Sequence, residues 1–322
     1  MMKDFIRAYS IQLSPNFDSD CCYEEFYYRS GSYPQSWYDP SPKKDVDLFY
    51  KLVDLAAEKG TNTILIFVGD AYCYESHPEI VCQNTWTKEE LGDAIKHVKA
   101  LGMDAVPMLN FSAVGNVWMG KYRKMMGSEV YLKVCDDLIC ELFEVFDKPE
   151  LFHIGMSCEA PELQSRFKNC VSRSAHLLSK HIAHHLDTVR KLGARPWMYS
   201  DLYLVSPEAF KATVGKDVLL SQGFIGGHKK IVNGISPQPE IRATIELPEL
   251  GYDYIPQFCN FHSIPTDTSM CNLVINHIKP DKVKGIVQLS VYQCNDEHDF
   301  KLMYDACALN ENADKVLKGG KK

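Results

Sequence analysis

The chain has no basic surplus. Its 35 Lys and Arg residues are outnumbered by 42 Asp and Glu, for a formal charge of -7 over 322 residues. With no excess cation to neutralise phosphates, nucleic acid is not an expected partner. There is no apolar stretch of 18 residues, which excludes a membrane-spanning helix and makes the membrane no expected partner. The start, MMKDFIRAYSIQLS, lacks the continuous apolar run of a secretory leader. Cysteine is plentiful, at 12 residues, but no Cys-x-x-Cys pair occurs, and Cys21-Cys22 alone do not make a zinc site. Cys135, Cys140, Cys259 and Cys307 sit inside apolar runs. The expectation is therefore reduced, mostly buried thiols in a cytoplasmic protein, with no metal and no cofactor. No linker or sequence repeat divides the chain, so residues 1–322 read as one domain.

What the chain has is alternation. Eight times a short apolar run closes on polar residues and a longer segment of helical period follows, the pattern of βαβ units and a parallel sheet. The expected strands are Phe5–Leu13, TILIFVGD to Asp70, DAVPMLNFS, LFHIGMSCE, RPWMYSD, DVLLSQGF, DYIPQFCNF and KGIVQLSVY. Between them, Gly60, Gly102 and Gly193 read as helix stops, and Thr87 with Glu90 three residues on reads as a capping box. Helices are expected over 45–58, 128–146, 172–192, 238–250, 269–278 and 297–316, with a short one opening at Ser206-Pro207. Eight units predict an α/β fold, a single (β/α)8 TIM barrel with long βα loops at its C-terminal face, where such barrels carry their chemistry. The aromatic segment from Pro15 to Pro42, with Tyr23, Phe26, Tyr27, Tyr28, Tyr33, Trp37 and Tyr38, reads as a flap over that mouth.

Side chains alternate faces along a strand. In the fourth strand Phe152, Ile154 and Met156 suit the layer beneath the helices, which leaves His153, Gly155, Ser157 and Glu159 to line the lumen. In the fifth, Trp197, Tyr199 and Asp201 share a face; in the eighth, Gln288, Ser290 and Tyr292 do. Asp70 and Asn110 close the second and third strands. Polar groups inside a barrel are costly unless paired or used, so this gathering reads as a ligand pocket. Aromatic faces beside amides and acids suit a sugar, making a small-molecule carbohydrate the expected partner. Each residue also has a plain reading. Glu159 could pair with a loop arginine, Asp70 could order a turn after Gly69, His153 could be a hydrogen-bonded core residue, and Trp197 could be core. His77 with Glu79 reads as a loop-ordering pair, and Cys158 lacks a partner that would make it a nucleophile.

The run FHIGMSCE at 152–159 resembles the H-x-G-G-D-E signature of family 20 glycoside hydrolases, the β-hexosaminidases. More closely, the chain resembles a poorly characterised group of barrels related to that family, through GDAYCYESHPEI at 69–80, PMLNFS at 107–112, RPWMYSD at 195–201 and KGIVQLSVY at 284–292. The resemblance implies a substrate-assisted reaction in which an Asp orients the sugar's acetamido group and the adjacent Glu protonates the leaving oxygen. In register, that pair falls on Ser157 and Cys158, which carry neither function.

The expected activity is therefore a glycosidase of altered site, hydrolysing a small glycoside or oligosaccharide with Glu159 and Asp201 as its catalytic carboxylates. Asp70, Asn110, Trp197, Tyr199, Gln288 and Tyr292 are the expected substrate-binding residues. Two alternatives compete. One is a catalytically degenerate sugar-binding barrel. The other is a metal-dependent sugar isomerase or epimerase using Glu159, Asp201 and His228.

Overall fold

In the computed structural model, residues 5–16, 46–165, 167–222, 239–259, 264–278, 280–293 and 309–318 are described. Eight parallel strands close into a ring in chain order: β1 (Ile6–Gln12), β2 (Thr63–Phe67), β3 (Asp104–Met108), β4 (Leu151–His153), β5 (Arg195–Tyr199), β6 (Leu219–Gln222), β7 (Tyr254–Cys259) and β8 (Gly285–Gln293). The helices between them are α1 (Val46–Glu58), α2 (Lys88–Ala100), α3 (Glu129–Val145), α4 (Ala175–Leu192), α5 (Pro207–Thr213), α6 (Pro239–Glu249) and α7 (Ile264–His277). Residues 309–318 are also helical. This is the (β/α)8 barrel that the alternation predicts. Among the described residues no helix is long and apolar enough to cross a membrane.

Local chemistry sets the helix ends. Thr87 accepts from the Glu90 N–H while the Glu90 carboxylate takes the Thr87 N–H, so the capping box forms at α2. Ser128, Ser174 and Ser206 each cap the helix that follows through a side-chain oxygen. Gly193 ends α4 at φ 90°, a left-handed position that favours glycine. α7 starts earlier than its sequence pattern predicts, at Ile264, with Pro265 in the first turn where no N–H partner is lost. On α3 the buried stripe Tyr131, Val134, Cys135, Leu138, Ile139, Leu142 and Phe143 follows helical spacing. Burying those side chains contributes on the order of 10–20 kcal/mol before ordering costs.

The strand registers separate the two faces of the sheet. Tyr254 donates its hydroxyl to Thr244 of α6, so its face looks out at the helices. The other face fills the lumen in layers drawn from alternate strands. Ala8, Val106, Trp197 and Ile255 form one layer, Leu65, His153, Ser221 and Val287 the next, and Ser10, Met108, Tyr199 and Gln257 the one nearest the mouth.

Several expectations are corrected. β4 stops at His153 rather than running to Glu159. Asp201 opens a short helix, Asp201–Val205, instead of closing β5. Among the described residues no disulfide forms, and the thiols there are not mostly buried. Cys135 and Cys271 are buried, while Cys140 is exposed because an apolar run on a helix still turns one face to water, and Cys73 and Cys170 are exposed in loops. The Pro15–Pro42 flap falls largely on residues 17–45, outside the described residues, as does the start of the last helix.

Candidate active site at the barrel mouth

Beyond β4 the backbone leaves extended geometry. Gly155, Met156 and Cys158 take positive φ of 74°, 69° and 56°. Two non-glycine residues held there mark local strain, which concentrates at functional sites. The alternation of faces ends with it, and this is why parity misplaces Glu159. Gly155 is fixed by its neighbour as well as its φ. A Cβ there would lie 2.3 Å from Asn110 Oδ1 and 2.5 Å from Asn110 Cα. Gly155→Ala is expected to cost at least about 2 kcal/mol, read as a fall in the urea midpoint with unchanged slope.

Glu159 turns away from the lumen and forms an ion pair with Arg173, both side chains 1% exposed. Glu159 Oε1 also accepts the Ala113 N–H at 2.9 Å. The Arg173 guanidinium reaches the Phe111 carbonyl at 3.3 Å and His181 Nδ1 of α4 at 3.0 Å. Burial pushes the Glu159 carboxyl up and the neighbouring guanidinium opposes it. The plain reading of Glu159, a partner for a loop arginine, is the one this geometry realises. It brings together the loops after β3 and β4 and the start of α4.

Glu159 still reaches Asp201, but through its main chain. The Glu159 N–H donates to Asp201 Oδ2 at 3.1 Å, and Gln222 Nε2 at the end of β6 donates to Oδ1 at 3.1 Å. Ser200 Oγ donates to Gln222 Oε1 at 2.6 Å and fixes that amide. Asp201 is 2% exposed, and burial lifts its carboxyl to about 7 against the pull of those two donors. The two sequence-predicted acids are thus adjacent, joined by a backbone hydrogen bond.

The other predicted residues scatter. Asp70 accepts from Ser14 Oγ and Asn16 Nδ2, each at 2.6 Å, and ties the loops after β1 and β2; burial raises its carboxyl and those bonds lower it. Asn110 Oδ1 accepts from the Met156 N–H at 3.0 Å and Ser112 Oγ at 2.5 Å, joining the loops after β3 and β4. Trp197 lies deep in the lumen with no exposed surface, its Nε1 on Ser221 Oγ at 2.7 Å, so it is core and not an open sugar platform. Tyr199, at 6% exposure, stands in the layer nearest the mouth. Gln288 pairs in register with Phe258, on the face of Tyr254, and so points toward the helices and not into the lumen. Tyr292 belongs to β8, but its side chain and His228 lie outside the described residues.

His77 bridges Glu79 at 3.4 Å and Asp137 of α3 at 3.3 Å, and Glu141 of α3 caps the N–H groups of Glu75 and Ser76. The loop after β2 is held down by these contacts, as its sequence reading expects. Among the described residues no group of three or more His, Cys, Asp or Glu side chains is placed to hold a metal. Sequence reasoning named neither Arg173 nor Gln222. Arg173 lies in a polar stretch, SRSAH, that carries no motif.

The closed ring of eight parallel strands defines the class: a (β/α)8 barrel, similar in fold to barrels of glycoside hydrolases. Solved structures of similar fold include dispersin B (TM-score 0.58, 12% identity, 84% of this chain and 94% of that one). They also include the GH20 exo-β-N-acetylglucosaminidase of Vibrio harveyi, solved with N-acetylglucosamine (TM-score 0.60, 13% identity, 95% of this chain and 55% of that one). A third is the β-N-acetylhexosaminidase of Bacteroides fragilis NCTC 9343 (TM-score 0.59, 12% identity, 95% of this chain and 65% of that one). The chain thus spans less than two thirds of the Vibrio and Bacteroides proteins and most of dispersin B. No protein-family model and no curated protein matches the sequence. The fold is that of the family 20 β-hexosaminidase barrels.

Proposed function

We propose that this protein is a glycoside hydrolase-like enzyme acting on a small glycoside or oligosaccharide, with Asp201 as its acid/base carboxyl. The observation that carries this reading is the position of Asp201: buried, held by two aimed donors, and titrating near neutrality at the mouth of a hexosaminidase-like barrel. A carboxyl in that range can both give and take a proton at the working pH. Glu159 is the positioning residue, since its carboxylate is engaged by Arg173 while its N–H holds Asp201. Substrate contact falls to groups nearer the opening, with Tyr199 as a ring face and Asp70 and Asn110 ordering the loops around it. The cytoplasm is the proposed compartment, supported by the seven cysteines with described side chains, which form no disulfide among them.

A second reading, a sugar-binding barrel that cleaves nothing, is favoured by one observation. The resemblance places the family's acidic pair on Ser157 and Cys158, and the next acid along is committed to Arg173. A panel of aryl glycosides, assayed with the wild type and with Asp201→Asn, separates the two. Turnover by the wild type that is lost in the variant supports hydrolysis by Asp201. Turnover that survives Asp201→Asn removes the assignment. Saccharide binding by calorimetry with no cleavage supports the second reading.

A further inference from the structure

The lumen beneath Asp201 holds polar groups that the protein itself does not satisfy. His153 is wholly buried in the middle layer, between the Trp197 ring at 5.1 Å and the Tyr199 ring at 4.9 Å. Its Nδ1 accepts the Gly155 N–H at 3.0 Å. A backbone N–H can only donate, so that nitrogen is bare and Nε2 carries the proton. That Nε2–H finds no acceptor, and Oε1 of Gln257, in the layer above, finds no donor. Burial holds the imidazole neutral, with its pKa lowered to about 3. Buried polar groups of native proteins are paired as a rule, and exceptions ask for a missing partner.

One donor and one acceptor left open is the complement of hydroxyl groups, which accept an N–H and donate an O–H. Charge narrows the choice. Among the described residues the three lumen layers hold no Arg or Lys, so no cation there pairs with the carboxylate or sulfate of an acidic sugar.

We propose that the barrel floor formed by His153 and Gln257 is the innermost subsite of the carbohydrate site and selects a neutral sugar unit by its hydroxyl groups. The inference rests on the carbohydrate reading above and not on hydrolysis. His153 Nε2–H donates to a hydroxyl and Gln257 Oε1 accepts from one. The same two atoms would also suit an ordered water, and the experiment separates the two occupants.

Calorimetry is run on the full chain with a set of neutral monosaccharides and with glucuronate as the acidic comparison. The proteins are the wild type, His153→Phe and Gln257→Leu. Thermal unfolding checks that each variant is folded. The expected result is wild-type binding of at least one neutral sugar, no binding of glucuronate, and a Kd about tenfold weaker in either folded variant, the loss of one hydrogen bond. Two independent variants keep the test decisive if one fails to fold. Unchanged neutral-sugar affinity in both variants means the floor holds water only and overturns the proposal, while leaving the carbohydrate reading intact. Preference for glucuronate overturns it also. Absence of any sugar binding by the wild type sinks both readings together. Binding that weakens as expected, with no bond cleaved, upholds the subsite and removes only the hydrolase reading.

Discussion

Asp201→Asn abolishes glycoside cleavage, with kcat lowered by at least about a hundredfold at pH 7, while saccharide affinity changes little. The amide keeps the shape of the side chain and its acceptor for the Glu159 N–H, but it has no proton to exchange. The same substitution has a signature in stability. The folded carboxyl titrates at about 7, well above its ordinary value near 3.8, because burial disfavours its charge. Between those values the folded state holds more protons than the unfolded state, so wild-type stability falls as pH rises from about 4 to about 7 and is flat beyond. The variant lacks this term. Its stability relative to the wild type therefore improves across that window, by on the order of 3–4 kcal/mol in total. Urea unfolding at pH 4.5 and pH 8 reads the change. Equal differences at the two pH values would mean that Asp201 is ionised throughout and is not the acid/base group. A wild-type pH–rate profile with a limb near 7, absent from any residual activity of the variant, completes the check.

Arg173→Met unfolds at a markedly lower temperature than the wild type. The substitution leaves the Glu159 carboxylate 1% exposed with the Ala113 N–H as its remaining donor. Removing one member of a buried ion pair costs about 3–5 kcal/mol, because the desolvation penalty of the other stays. For a domain of this size that corresponds to a fall in Tm of roughly 10 °C. The paired change Glu159→Met with Arg173→Met recovers most of the loss, since the pair is then replaced by apolar volume. Calorimetric unfolding of the two single variants and the double variant tests this. Additive losses, with no recovery in the double variant, would show that the two side chains act independently. Activity does not recover with stability, because the main chain at 159 is no longer fixed by its side chain. The backbone donor to Asp201 then loses its aim.

Strand alternation points to Glu159 and Asp201, and they are neighbours in space. Their roles differ from the expected pairing of two free carboxylates. Glu159 was placed on the lumen face by counting along an extended strand. That counting is valid only while the backbone stays extended, and three residues of positive φ follow His153. Alternation groups Gln288 with Ser290 and Tyr292 as lumen residues, but the register of β7 with β8 sets Gln288 on the helix side. Trp197 was chosen as a ring face, and the layering of the lumen puts it below the reach of a ligand.

The sequence by itself determined the eightfold alternation, the capping box at Thr87, the helix starts at Ser128 and Ser206, and the helix stop at Gly193. Each of these follows from residues within a few positions of one another. Only the tertiary structure decided which polar groups are spent on one another. Arg173 meets Glu159, Gln222 meets Asp201 and Asn110 meets the Met156 N–H because the ring closes and brings separate loops together. Hydrogen bonds and ion pairs depend on distances of a few ångströms between such loops, and no local pattern encodes those distances.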